Sequence, residues 1–251
     1  ISNKLNNGGD SVSLYDSDDL LIQSTSVLVD GDGDDKTHQR LPDGTGDFDF
    51  FIDTKGFMNS DNIRNVPAEY GTIQAAIDAA GPGDTINIAA GTYTENLAIN
   101  KEVSLVGAGS GVVTISGMHT ITSSDVSIVE VTFETTGVAV TIDSSGAIID
   151  DTTISNNIFD LTAGPSVGIY VGGGNPVNKI TDLIMDTNVF NGPDNKVCNP
   201  WKIGGDYVNG GSDAEIEDID FINNEVNRCS IPVNMQDGNI KDILMDNNVF
   251  R

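Results

Sequence analysis

From residue 84 onward, apolar and polar residues alternate in short runs. Ile86-Asn87-Ile88 and Val103-Ser104-Leu105 are examples, and this is the period of a half-buried strand. Further along, the alternation becomes a repeat. Segments 149–159, 180–190, 216–226 and 240–250 all read Ile-x-Asp-h-x-h-x-x-Asn-x-h, where h is mostly apolar. Their asparagines are Asn157, Asn188, Asn224 and Asn248, separated by 31, 36 and 24 residues. A weaker copy runs from Asp125 through Val126, Ile128, Val131 and Phe133, and the two early runs precede it. Repeats of this length with short strands predict a β-solenoid of about seven or eight coils. A single coil cannot bury its own apolar row, so like residues stack above like, about 4.8 Å apart. The recurring asparagine, lodged between apolar positions, predicts an internal amide ladder at a turn.

Only one stretch has helical spacing. Ile73, Ala76, Ile77 and Ala80 share a face, Thr72 is a suitable N-cap, and Gly81-Pro82-Gly83 ends the run. The pattern predicts a helix over 72–80 that caps the open end of the solenoid. Residues 1–58 have a different texture, with short alternating runs split by Gly and Asp clusters, which predicts a small antiparallel β unit. Residues 59–66 read as a polar linker and 67–251 as the solenoid domain.

Two family resemblances follow from particular motifs. Gly8-Gly9-Asp10-Ser11-Val12-Ser13-Leu14-Tyr15-Asp16, Gln39-Arg40-Leu41-Pro42-Asp43-Gly44-Thr45-Gly46-Asp47-Phe48 and Thr54-Lys55-Gly56-Phe57-Met58-Asn59 resemble the closing half of a lamin-tail domain. That likeness implies part of an immunoglobulin-like β-sandwich. It lacks the family's opening strands, and Lys55 replaces the family's usual Pro. The cap helix, Gly91-Thr92-Tyr93-Thr94-Glu95-Asn96-Leu97 and Leu105-Val106-Gly107-Ala108-Gly109 resemble the opening of the pectin-lyase-like right-handed parallel β-helices. The expected fold is therefore all-β: a right-handed parallel β-helix with an N-terminal capping helix, preceded by the sandwich segment. Activity does not follow from that fold, because the superfamily holds lyases, esterases, hydrolases, tailspikes and plain surface proteins. Gly91-Thr92-Tyr93-Thr94-Glu95 looks like the first motif of pectin methylesterases, but the later motifs carrying that family's catalytic residues have no counterpart here. A pectate-lyase likeness would imply Ca²⁺-binding acids and a catalytic Arg or Lys, for which Arg228 is the sole candidate.

Composition narrows the partners. The 251 residues carry 38 Asp+Glu against 12 Lys+Arg, a formal charge of −26, which argues against nucleic acid and anionic membrane surfaces. No run reaches the roughly 20 apolar residues of a membrane span. Part of the charge is positional. Asp125, Asp151, Asp182, Asp218 and Asp242 recur at one point of the coil and would stack in a column if the coils are in register. Such a column needs turn hydrogen bonds, bound cations or lateral displacement to offset its repulsion. Asp30, Asp32 and Asp34 alternate with glycines in a loop suited to a hard cation such as Ca²⁺, or to a solvated acidic turn.

Aligning 169–171, 201–203 and 233–235 sets Tyr170, Lys202 and Asn234 outward in one column. With Arg228, these are the candidate glycan-binding residues, while Trp201 aligns with core positions. Cys198 and Cys229 fall in corresponding connections of adjacent coils, which predicts a disulfide and an extracellular location. No catalytic residue is assigned. The leading expectation is an extracellular structural or adhesive cell-surface protein. It would be a subunit of a surface layer, sheath or filament, self-associating through its open ends or binding other surface proteins. The alternative is a carbohydrate-active enzyme or glycan-binding module acting on a polysaccharide.

Overall fold

The computed structural model describes residues 62–144, 148–164, 166–172, 179–195, 197–204, 215–229, 233–235 and 239–251. In the first unit it describes only the strands named next. The chain divides into two compact units, 1–61 and 62–251. In the first, Ser13–Tyr15 pairs antiparallel with Leu21–Ser24, and Lys36–Leu41 with Asp47–Ile52. These hairpins agree with an antiparallel β unit. Among the described residues they form two separate two-stranded sheets, which give the lamin-tail sandwich no support. Asp30, Asp32 and Asp34 lie outside the described residues.

The second unit is a parallel β-helix. Sheet I has eight strands: Ile63–Val66, Asp84–Ile88, Val103–Gly107, Ser127–Val129, Thr152–Ser155, Leu183–Asp186, Ile219–Ile222 and Ile243–Asp246. Sheet II has seven: Gly91–Thr94, Val113–Ser116, Thr132–Glu134, Ile158–Asp160, Val189–Asn191, Glu225–Asn227 and Val249–Phe250. Sheet III has six: Ala98–Ile99, His119–Ile121, Val138–Asp143, Ser166–Gly172, Cys198–Ile203 and Val233–Met235. In the last coils a fourth, three-stranded sheet IV joins them, formed by Lys179–Ile180, Glu215–Ile216 and Asn239–Ile240. The chain visits the sheets in turn, so every neighbour in a sheet comes from the coil before or after.

Alternation sends one residue of each pair inward, and register stacks the inward ones. Ile86, Leu105, Ile128, Ile154, Met185 and Phe221 form one core column of sheet I. On sheet II the column is Tyr93, Ile115, Phe133, Phe159, Phe190 and Val226. The rings of Phe159 and Phe190 stack 4.6 Å apart and 9° from parallel, matching the spacing between strands. Where this column falls from Phe to Val226, Trp201 of sheet III fills the space, 5.0 Å from Phe190 and 4.6 Å from Phe221. The backbone at Gly168 makes room for this packing, since a Cβ there would lie 2.8 Å from the Phe190 ring. In the final described rung, Met245 and Phe250 continue the core columns but remain 40% and 47% exposed.

Residues 59–66 do not act only as a linker, because Ile63–Val66 is the outermost strand of sheet I. Its apolar pattern is broken because Arg64 takes an inward position, in register with Ile86, and pairs with Asp84 at 2.8 Å. Helix α1 (Ile73–Ala79) is capped by the Thr72 side chain and packs on the strands Ile63–Val66 and Asp84–Ile88, with Ile73, Ala76 and Ile77 fully buried.

Candidate functional site

Two corners of each late coil use left-handed backbone. The first precedes sheet I, where Asp125, Asp151, Asp182, Asp218 and Asp242 all have φ between 49° and 54°. The second joins sheets I and II, at Glu130, Asn156, Thr187, Asn223 and Asn247, with φ from 52° to 62°. A short polar side chain tolerates this conformation better than others, so the recurring aspartate has a local cause. The second corner carries different residue types and so leaves no clear mark in the repeat.

Immediately after the second corner come the buried asparagines. Asn157 Nδ2 donates to Asn188 Oδ1 at 3.2 Å, Asn188 Nδ2 to Asn224 Oδ1 at 3.1 Å, and Asn224 Nδ2 to Asn248 Oδ1 at 3.0 Å. Each Oδ1 also accepts the backbone N–H of the preceding ladder asparagine, and each Nδ2 donates to a sheet I carbonyl, as Asn188 does to Ile154 at 2.8 Å. An outer ladder accompanies it, with Asn247 Nδ2 donating to Asn223 Oδ1 and Asn223 Nδ2 to Asp186 Oδ1.

The aspartate corner forms an open groove of about 470 Å³. Asp151, Asp182, Asp218 and Asp242 line it with Asp220, Thr153 and Ile184, which point outward from sheet I. The neighbouring Asp150 charge, followed by desolvation and the charges of Asp125 and Asp182, holds the Asp151 carboxyl above the ordinary Asp range. Within the row, Thr181 Oγ1 donates to Asp182 Oδ2 at 3.0 Å and lies 3.5 Å from Asp218 Oδ2. The lysines in and just after sheet IV are paired to glutamates, Lys179 to Glu217 and Lys241 to Glu215 and Glu217. Among the described residues no three His, Cys, Asp or Glu side chains converge as a metal cage. The carboxylates form a row along the rod.

The proposed glycan column is in register, Tyr170 beside Lys202 and Lys202 beside Asn234, but it is not an open face. Tyr170 is 7% exposed and Lys202 9%, with the ammonium 5.4 Å from the ring centroid. Val138 and Val167 make a small buried cluster with Tyr170, separate from the interior core, so apolar residues occupy outward positions and are covered. Arg228 lies elsewhere, on the turn after Glu225–Asn227, with φ of 59° and its guanidinium 2.9 Å from Asp194. Trp201 is fully buried. Cys198 and Cys229 are joined in a disulfide, with Cα atoms 5.1 Å apart. His119 is also interior. Its Nδ1 accepts from Leu97 N–H, and burial pushes its pKa down to about 4.

Sequence reasoning missed Asp220 as part of the acidic lining, although its place two residues beyond Asp218 on an alternating strand signals it. It also read Glu95 only through a family motif, whereas Glu95 binds the cap helix.

No protein-family model matches the chain, and no curated protein does. Solved structures similar to it include a pectin methylesterase from carrot (14% identity over 73% of this chain and 71% of that chain, TM-score 0.41). Another is pectin methylesterase PemA from Erwinia chrysanthemi (12%, 66% and 81%, 0.35). A third is ORF18 of Geobacillus virus E2 (15%, 86% and 58%, 0.34). The parallel β-helix assignment rests on the sheet registers themselves. No helix among the described residues is long and apolar enough to cross a membrane.

Proposed function

We propose that this chain is an extracellular structural or adhesive component of a cell surface, such as a layer, sheath or filament. In this reading a rigid solenoid takes up Ca²⁺ along its acidic edge and through it holds a second copy or another anionic surface polymer. The observation that carries the proposal is the in-register row of Asp151, Asp182, Asp218 and Asp242 on a rigid corner whose nearby lysines are already paired. A row of carboxylates sharing cations with a second anionic surface is one way to offset its repulsion. The disulfide supports an oxidising, extracellular setting. Of the basic side chains, Arg228 pairs with Asp194, Lys202 lies over Tyr170 and His119 is interior.

Sedimentation velocity in CaCl₂ and in NaCl of equal ionic strength tests this reading. Larger species are expected only with Ca²⁺. A monomer under both conditions contradicts the proposal.

The second reading is a carbohydrate-active enzyme, as the pectin methylesterases among the similar structures are. The open groove lined by Asp151, Asp182, Asp218 and Asp242 is the place where such an enzyme would hold its acids. Release of products from a uronate or neutral polysaccharide, lost in Asp151→Asn, would favour it.

A further inference from the structure

Helix α1 has seven residues, with no acid in its first turn and no base in its last. Alone it would not hold together. The charges it lacks come from the next coil. Glu95 Oε1 accepts from Ile73 N–H and Oε2 from Gln74 N–H, both at 3.0 Å. At the other end, Lys101 Nζ donates to the carbonyls of Asp78 at 2.7 Å and Ala80 at 2.9 Å. Both charges have the sign that suits their end of the helix dipole. Between them, the Gln74 side chain completes the edge of sheet III: Ala98 N–H donates to its Oε1 at 2.8 Å and its Nε2 donates to Ala98 O at 3.3 Å.

We propose that α1 is a latched cap. It opens and closes as a unit separate from the coils, is held by the Glu95 and Lys101 charges, and uncovers the interior end of the first coils when it opens. Stability in a stacked solenoid is local, because each coil touches only its neighbours, so the terminal element can open while the body stays closed. Beside this polar latch the helix contributes one short apolar face, Ile73, Ala76 and Ile77, whereas each coil stacks apolar side chains of three sheets on its neighbours. Losing either charge weakens the hydrogen bonds that hold the ends of α1 and favours the open form.

Hydrogen exchange followed by mass spectrometry tests this on the whole chain. In Glu95→Gln and in Lys101→Met, amides of 73–80 should exchange about tenfold faster, the scale of one charge-assisted hydrogen bond, while those of 113–142 keep their wild-type rates. Equal acceleration of both regions, or no change in either, overturns the proposal. Wild-type protein gives a reading independent of the variants: 73–80 should exchange faster than 113–142, and equal protection would contradict a separately opening cap.

Discussion

Asn188→Ala is expected to destabilise the β-helix by about 3 kcal/mol, because the buried Asn157 N–H loses its acceptor and the bonds from Asn157 Nδ2 and to the Ile154 carbonyl are lost with it. The Asn157 N–H donates to Asn188 Oδ1, and the Ile154 carbonyl accepts from Asn188 Nδ2. Neither reaches water, since Asn157 and Ile154 are 1% and 0% exposed. Alanine supplies no substitute, and a ladder broken in the middle separates the coils on either side of it. Asn248→Ala is the control. Asn248 also accepts from Asn224 and donates to Phe221 O, partners as buried as Asn157 and Ile154, but Asn248 itself is partly exposed whereas Asn188 is 0% exposed, so water can enter at its place and the cost is about 1 kcal/mol. Chemical denaturation of both variants checks the difference, and equal losses would contradict the ladder's structural weight.

The second large effect belongs to the disulfide. Joining Cys198 and Cys229 closes a loop with a sequence separation of 31, worth about 3–4 kcal/mol in chain entropy. The Cys198→Ala/Cys229→Ala variant should lose stability on that scale. The loss should fall on the coils from 198 onward, since contacts in a solenoid are local. Limited proteolysis should cut those coils first and spare 84–142. A variant that melts with the wild type, or frays first at its N-terminal coils, would contradict this.

Both effects reach back to features the sequence displays, and they mark how far it can be read. The ladder was legible because a buried amide recurs at one corner of four successive late coils, and few other side chains both donate and accept there. The disulfide was legible because coil alignment places two cysteines in corresponding connections. The first strand of sheet I, Ile63–Val66, was hidden by Arg64, a charge at an inward position that pairs with Asp84, twenty residues on. The outward column of Tyr170, Lys202 and Asn234 was correct in register but wrong as an open face. Strand alternation says which way a side chain points, not whether other parts of the chain cover it. Glu95 shows the same limit: its partners are the first amides of a helix more than twenty residues earlier.

The acidic row was visible as a recurring aspartate, and its backbone explains why that residue recurs. The φ of about 50° at Asp182 and Asp218 is one that Asn adopts as readily as Asp. Removing the charge while keeping the corner is therefore a clean experiment. Calorimetric titration of Ca²⁺ at fixed ionic strength into the wild type and Asp182→Asn/Asp218→Asn tests the proposed role of this edge most directly. The account predicts saturable heat in the wild type and its loss in the variant, with the fold unchanged. Equal heats in both proteins, or none in the wild type, would contradict it.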